Sequence, residues 1–326
     1  MDVSIIIVNY NTKDLILQCL KSIFELTKNV DFEVIVVDNA SSDSSCNEIT
    51  KNFPQVKVIE SFVNSGFGRA NNFGAKRAKG KYLFFLNPDC LLIENTIKVF
   101  YEFMEINNVD DSIGAVGAML YDKTMKLNTS YHRFPAIVSE LKYTISLIFN
   151  KLFLPSSDPP KTYNYSQSYI SNEVDFISGA DLFILKKRFD ELNGFDEQFF
   201  LFYEEADLQK RMSAKGLKRI ILENQKIIHL EGYSYITSSP SLKSTIIFRD
   251  SLYKYFRKHV NFISYIFFYL TITPLLIYPL FSRKYSVKEK KEYCRMLLRR
   301  HFNESEVRST NAKFKKDSSF RLWLHY

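Results

Sequence analysis

Cysteine is scarce in this chain: four residues in 326, at positions 19, 46, 90 and 294, with no C-x-x-C pair. That spacing excludes a disulfide framework and a cysteine zinc site, and predicts reduced thiols in a cytosolic compartment. A secretory leader is not expected either. Asp2 stands where a positive segment belongs, and the apolar run Val3–Val8 is too short. No internal repeat is evident. Residues 1–282 lack any charge bias, with 31 Lys/Arg against 31 Asp/Glu. The net charge of +8 therefore belongs to residues 283–326, which hold 13 Lys/Arg and 5 Asp/Glu. A tail of that sign suits nucleic acid or an anionic membrane surface.

What the sequence has is apolar mass. It is 46% hydrophobic, with 29 Phe and 20 Tyr, enough for a well-buried core in one large domain or one domain with an appendage. "VSIIIV" (3–8) and "EVIVVD" (33–38) are continuous β-branched runs, the mark of strands buried on both faces. "VKVIE" (56–60) is a weaker strand, "KYLFFLN" (81–87) a strong one, and "GAVGAML" (114–120) a further candidate. Between the first two runs, Thr12 is expected to cap a helix with Asp14 in its first turn. Leu15, Ile16, Cys19, Leu20, Ile23 and Phe24 would give that helix its apolar face. Another helix is predicted over 68–78. This alternation predicts right-handed βαβ units in a mostly parallel sheet. Residues 150–172, with three prolines and many Ser, Asn and Tyr, predict a long loop of the lid or binding type. A strand-like pattern resumes over 174–187, around Ser178-Gly179, and a helix starts near Glu204 with Gly216 as its C-cap.

In an open α/β sheet, ligands bind at the carboxyl ends of the parallel strands. Asn9-Tyr10-Asn11, Asp38-Asn39 and Asn87-Pro88-Asp89 all fall there. One acidic tip is ordinary loop polarity; three neighbouring tips make a site. "NSGFGRANNFG" (64–74) opens a helix with Gly66 and Gly68. Its N-terminus can receive a phosphate, with Arg69 adding charge, and it reads equally as a tight turn with helix capping. Asp89 beside a diphosphate would repel it unless a divalent cation stands between them. Mg2+ or Mn2+ takes hard oxygen ligands, few from protein and several from phosphate and water. Pro88 restrains the tip. In "FYEEADLQKR", Glu204, Glu205 and Asp207 open a helix, where the dipole favours acids. Asp207 is read as the i,i+4 partner of Arg211. Glu205 points about 100° away from Glu204 and can serve as a general base. His229, alone after a short apolar run, reads as a packed or surface histidine more readily than as a ligand.

Taken in order, "VSIIIVNYNT", "EVIVVDNASSD", "NSGFGRANNFG", "YLFFLNPD", "SGADLFILKK", "NGFDEQFFLFYEEADLQKR" and "HLEGYS" resemble the family-two inverting glycosyltransferases of GT-A fold, in their bacterial rhamnosyltransferase-like branch. The resemblance covers residues 3–235. It implies an α/β catalytic domain over 1–235, with Asn9, Tyr10 and Asn11 lining a nucleotide pocket and Asp38 bonding a pyrimidine base. Asn64, Gly66, Arg69, Asn71 and Asn87 would shape the nucleotide and diphosphate side. Asn87-Pro88-Asp89 matches the family's D-x-D metal motif with Asn in the first place, so Asp89 is the firm ligand. His229 matches a histidine that reaches the diphosphate or metal. Glu204-Glu205 matches a Glu-Asp pair whose second member is the catalytic base; Glu in place of Asp leaves both Glu205 and Glu204 as candidates. Gly179 and Asp181 of "SGAD" would lie near the donor sugar or acceptor. The implied donor is dTDP-rhamnose or a UDP-sugar, the acceptor a lipid-linked glycan, and the cofactor Mg2+ or Mn2+. A sugar nucleotidyltransferase competes as a reading, but Val3–Thr12 lacks a glycine-rich basic triphosphate loop. A non-catalytic scaffold would be expected to lose Asp89 or the Glu pair, and both are present.

Residues 236–326 are expected to form a helical, basic, membrane-associating extension. The stretch 261–281 carries no charge and approaches the ~20 residues of a spanning helix. Pro274 and Pro279 break its second half. Basic residues flank both ends (Lys254, Arg257 and Lys258; Arg283, Lys284 and Lys288), which a single span would split across the membrane. The expectation is an interfacial or re-entrant element, ahead of a true span and of a buried helix pair. It would hold the protein on the anionic cytoplasmic face of the inner membrane, with no nucleic-acid partner.

Overall fold

The computed structural model describes residues 1–107, 112–153, 173–230, 242–281 and 285–298. The chain divides into two units, Met1–Pro240 and Ser241–Tyr326. The boundary expected at 235/236 lies outside the described residues.

In the first unit, Val3–Asn9 (β1) alternates its side chains into two cores. Val3, Ile5 and Ile7 pack with Ile16, Cys19, Leu20 and Ile23 of Lys13–Leu26 (α1). Ile6 and Val8 face the other way. Full burial of each such side chain contributes about 1.5–3 kcal/mol, so the first strand is anchored on both faces. Phe32–Asp38 (β2) pairs with it in parallel, Val3 to Phe32 through Asn9 to Asp38. Ser45–Asn52 (α2) leads to the short, half-exposed Lys57–Glu60 (β3), which lies at one end of the sheet. Phe67–Ala75 (α3) then packs on β1 and β2 through Ala70 and Ala75.

Tyr82–Leu86 (β4), buried throughout, pairs with the other side of β1. Cys90–Leu92 (β5), Thr96–Asn107 (α4), Ile113–Tyr121 (β6) and Tyr131–His132 (β7) follow, then the helix Ile137–Phe153 (α5). Next come Phe176–Ile177 (β8), Asp181–Leu185 (β9), Lys186–Glu191 (α6), Glu204–Ala214 (α7) and Lys218–His229 (β10). The sheet order is β3-β2-β1-β4-β9-β6-β10-β5. Six strands run one way; β9 and β5 run against them. The mostly parallel sheet is as expected, and Gly216 takes φ +74 just past α7. Three local expectations change. Residues 150–153, expected in a loop, complete α5; residues 154–172 lie outside the described set. Thr12 precedes α1 but makes no side-chain cap, because its hydroxyl donates to Asn9 Oδ1 at 2.6 Å. Leu15 is only half-buried on α1.

The second unit contains Leu242–His259 (α8), Phe262–Leu275 (α9), a 3-10 turn Tyr278–Phe281, and Val287–Leu298 (α10). Asn261 caps α9 by accepting from Ser264 N at 2.9 Å. Pro274 sits in the last turn of α9, and among the described residues no helix is long and apolar enough to cross a membrane.

Candidate active site

The carboxyl ends of β1 and β2 meet through their last residues. Asn9 Nδ2 donates to Asp38 Oδ1 at 2.7 Å and to Ser41 Oγ at 3.0 Å, while Ser41 N donates to Asp38 Oδ2 at 2.8 Å. Both Asn9 and Asp38 are buried. Asn11, with φ 54, accepts from Ser42 N at 2.8 Å and donates its own N–H to Ser41 Oγ. Tyr10 is half-buried beside them. The sequence places Asn39 at the second strand tip; in the fold it organises the adjoining loop. Its Nδ2 donates to Asn64 Oδ1 (2.9 Å) and Gly66 O (3.2 Å), and its Oδ1 accepts from Ser65 N (3.0 Å). An asparagine after an acid looks like loop polarity in sequence; only the fold shows that it joins two loops.

Gly66 holds φ +89, and a Cβ there would sit 2.2 Å from Phe200 O, so no other residue fits. The turn opens α3, whose Phe67 N donates to Phe200 O at 2.8 Å. Asn72 clamps the same loop with two bonds, to Phe195 O (2.8 Å) and from Phe195 N (2.9 Å). Arg69 donates from Nε to Glu197 O at 2.8 Å, and the buried Asn71 bonds Phe67 O within its own helix. Arg211 ties the loop from the far side. It pairs with the fully buried Asp207 at 2.8 Å, as the i,i+4 spacing implied, and also donates to Leu192 O and Gly194 O.

The loop clamped this way delivers the acidic pair. Phe202 (φ 70) and Tyr203 (φ 67) are both left-handed immediately before Glu204. For non-glycine residues that conformation costs roughly 1–2 kcal/mol each, and such strain is retained where surrounding contacts enforce it, commonly at functional sites. Glu204 is buried against Gly68, where a Cβ would lie 3.5 Å from the Glu204 Cβ. Glu205 lies against Gly179, at 3.6 Å by the same measure. Neither Glu204 Oε2 nor Glu205 Oε2 has a hydrogen-bond partner among the described residues. Burial, and then the Glu205 charge, push the Glu204 carboxyl well above the ordinary range. Burial also raises Glu205, but the backbone N–H groups of Glu205 and Ala206 oppose the shift. Both carboxyls are therefore harder to ionise than an exposed glutamate, and the like charges next to each other add to the effect.

The third element is a turn. Cys90 N donates to Asn87 O at 3.1 Å, closing Asn87-Pro88-Asp89-Cys90 with proline in its favoured second place. Asn87 N donates to Ala180 O at 2.9 Å, which ties this turn to the strand following Gly179. The antiparallel pairing of β5 with β10 sets His229 opposite Cys90, and Leu230 N donates to Asp89 O at 3.0 Å. Asp89 Oδ1 thus lies 3.3 Å from His229 Nε2. It is buried and has no hydrogen-bond partner among the described residues. Asp89, Cys90 and His229 place one donor atom each within 4.8 Å of one another. The Cys90 thiol donates to Ala180 O at 3.5 Å, and burial beside Asp89 raises its pKa well above the ordinary value. Asp181 is fully buried opposite Leu86 of β4. Its Oδ2 accepts from Ala118 N at 2.6 Å, and burial raises its pKa well above the usual range.

The structure thus gathers the candidate residues into a cluster at the tips of β1 and β2 (Asn9, Asn11, Asp38, Asn64, Gly66), an acidic pair packed on Gly68 and Gly179, and a carboxylate–imidazole couple. Asn71 and Asp181 lie in the packing beneath these groups.

Known proteins resemble this chain in sequence and fold. The model of glycosyl transferase family 2 matches residues 4–163. Rhamnosyltransferase WbbL of Escherichia coli is 26% identical over 227 residues, covering 66% of this chain and 78% of that protein. N-acetylglucosaminyl-diphospho-decaprenol L-rhamnosyltransferase of Mycobacterium tuberculosis is 21% identical, covering 62% of this chain and 67% of that protein. Poly(ribitol-phosphate) beta-glucosyltransferase of Bacillus spizizenii is 39% identical over 119 residues, and the chain spans only 19% of its length. Among solved structures, mannosyltransferase PcManGT from Pyrobaculum calidifontis, in complex with GDP-Man and Mn2+, aligns with a TM-score of 0.53 at 15% identity, covering 99% of this chain and 82% of that one. S. aureus TarS 1-349 in complex with UDP aligns at 0.50 with 16% identity, covering 98% and 77%. The fold is GT-A-like, and the chain belongs to glycosyl transferase family 2.

Proposed function

We propose that this chain transfers a sugar, with inversion, from a nucleotide sugar to a hydroxyl of a lipid-linked glycan in bacterial surface polysaccharide synthesis. The donor is dTDP-rhamnose or a UDP-sugar. The observation that carries the reading is the placement of the Glu204-Glu205 pair beside Gly179, one backbone hydrogen bond away from the turn that holds Asp89 against His229. The rhamnosyltransferase relatives support the donor class, and the decaprenol-linked substrate named for one of them supports the acceptor class.

The chemistry follows from protonation and burial. Glu205, the second member of the pair, takes the proton of an acceptor hydroxyl as that oxygen attacks the anomeric carbon. Attack from the face opposite the leaving diphosphate inverts the configuration in one displacement through an oxocarbenium-like transition state. Gly179 packs directly on the Glu205 side chain: a Cβ at 179 would lie 3.6 Å from the Glu205 Cβ and 3.7 Å from its Cδ. Asn9 and Asp38 form a rigid polar floor for the base, and Asn39 fixes the Asn64–Gly66 turn that faces the phosphates.

Asp89 Oδ1 is buried without a hydrogen-bond partner, and a histidine nitrogen lies off hydrogen-bond geometry at 3.3 Å. Two such converging donors fit a divalent cation better than they fit each other. Asp89 and His229 would hold Mg2+ or Mn2+ there, which when bound supplies positive charge to a departing diphosphate.

Nucleoside diphosphate release from a panel of nucleotide sugars, with polyprenyl-diphosphate-linked saccharides as acceptors, tests the proposal. Acceptor-dependent release with one donor is expected. Failure of every nucleotide sugar to bind or turn over would overturn it.

A further inference from the structure

We infer that the second unit docks in the plane of an anionic lipid bilayer through one face of α9. Its buried side chains, Tyr265, Phe268, Ile272 and Leu276, are held by the unit's own helices. The Phe256 and Phe268 rings lie 4.4 Å apart, Tyr253 bonds Thr273 at 2.8 Å, and Tyr293 donates to Leu276 O at 2.9 Å. The opposite face is apolar as well. Ile263, Phe267 and Leu270 recur at intervals of four and three residues and are 81%, 56% and 64% exposed, a spacing that puts them on one stripe. Just past the helix, Ile277 and Phe281 are 42% and 79% exposed. A continuous exposed stripe of this kind marks an interaction surface rather than a soluble one.

Charge and length select the occupant. Residues 241–326 carry 18 Lys/Arg against 6 Asp/Glu, whereas residues 1–240 carry 26 against 30. Lys258, Lys288, Lys291 and Arg295 are exposed on α8 and α10, the helices that flank α9 in the chain. Two copies meeting through this unit would bring like charges together. A bilayer with anionic headgroups accepts the stripe and the cations at once. At 14 residues, α9 is about 21 Å long, short of the ~30 Å hydrocarbon core. The helix therefore lies in the interface and does not span it. This docking would keep the chain at the cytoplasmic membrane face, where a lipid-linked acceptor is found.

The test is flotation of the full chain with phosphatidylcholine vesicles, with and without phosphatidylglycerol. The doubly substituted Phe267→Ser/Leu270→Ser chain serves as the comparison. Both side chains are exposed, so the variant should keep its thermal unfolding midpoint. Binding is expected to anionic vesicles, to weaken with salt, and to fall at least tenfold in the variant. Equal binding by both chains, or no binding by either, overturns the inference. So does a native dimer that the double variant turns into a monomer, since the stripe's partner would then be a second copy. Donor hydrolysis measured without lipid reads the transferase proposal separately, because both substituted residues belong to the second unit and Glu205 to the first.

Discussion

Replacing Glu205 and Glu204 by glutamine, one at a time, should have opposite consequences although the residues are neighbours. Glu205 is placed against Gly179 and its carboxylate is stabilised by backbone N–H groups at the start of α7. Loss of a positioned general base lowers the rate about 10²–10⁴-fold, or roughly 3–5 kcal/mol of transition-state stabilisation. Nucleotide-sugar affinity should be unchanged, because glutamine keeps the shape. Burial and the neighbouring charge hold the Glu204 carboxyl well above the ordinary range, so Glu204→Gln puts a neutral group where ionisation is already disfavoured and should keep most of the turnover. The assay is the initial rate of acceptor-dependent diphosphate release, beside donor affinity by calorimetry. An acid limb in kcat/KM above the ordinary glutamate value of ~4.3 is expected in the native chain, since burial raises Glu205. Glu204→Gln should leave that limb in place. A Glu205→Gln chain that keeps a substantial share of native turnover, or a Glu204→Gln chain that loses as much as Glu205→Gln, refutes the assignment.

Three further outcomes follow from other parts of the structure. Asp89→Asn should abolish Mn2+ binding by calorimetry and His229→Ala should weaken it; unchanged Mn2+ affinity in both would remove this pair as the cation site. Gly66→Ala forces a side chain into a backbone at φ +89 with its Cβ 2.2 Å from Phe200 O, and should lower the unfolding midpoint by an amount matching at least ~1–2 kcal/mol. Asp181 and Glu204 carry raised pKa values in the folded state, so between the unfolded value and the raised one the native protein binds more protons. Their effect on stability is then least unfavourable at low pH and worsens as pH rises through that window. Asp181→Asn keeps an acceptor for Ala118 N and should flatten this part of the thermal stability profile; an unchanged slope would show that Asp181 does not titrate there.

The first half of the sheet was legible because its strands are buried on both faces and written as β-branched or aromatic runs: 3–8, 33–38 and 81–87. Their carboxyl tips were legible for the same reason, since a polar residue ending such a run is conspicuous. Strand direction was not. The pattern around Ser178-Gly179 marks a strand, but nothing in it says that β9 runs backwards between β4 and β6. Helix α5 escaped because "IVSELKYTISLIF" is rich in β-branched and hydroxyl residues of modest helix propensity. Thr12 was misread because its hydroxyl had two roles within reach: accepting from the helix N–H groups as a cap, or donating to Asn9 Oδ1. The buried, already oriented Asn9 won.

Asn87-Pro88-Asp89 shows why composition alone underdetermined the metal site. In sequence it is a strand tip with one acid where related motifs carry two. In the fold its backbone is fixed on three sides: Asn87 N to Ala180 O, Cys90 N to Asn87 O, and Leu230 N to Asp89 O. Two of those bonds come from residues far along the chain, so the precision of Asp89 is a property of the topology. The same pairing of β5 with β10 that supplies Leu230 N also supplies His229. A second carboxylate at the half-buried position 87 would stand in the same turn as the buried Asp89, one strand pairing away from the buried Asp181. In the proposed function, a neutral Asn87 with an imidazole across the turn would let a divalent cation be held with one negative charge from the protein, leaving the rest of the neutralisation to the diphosphate itself.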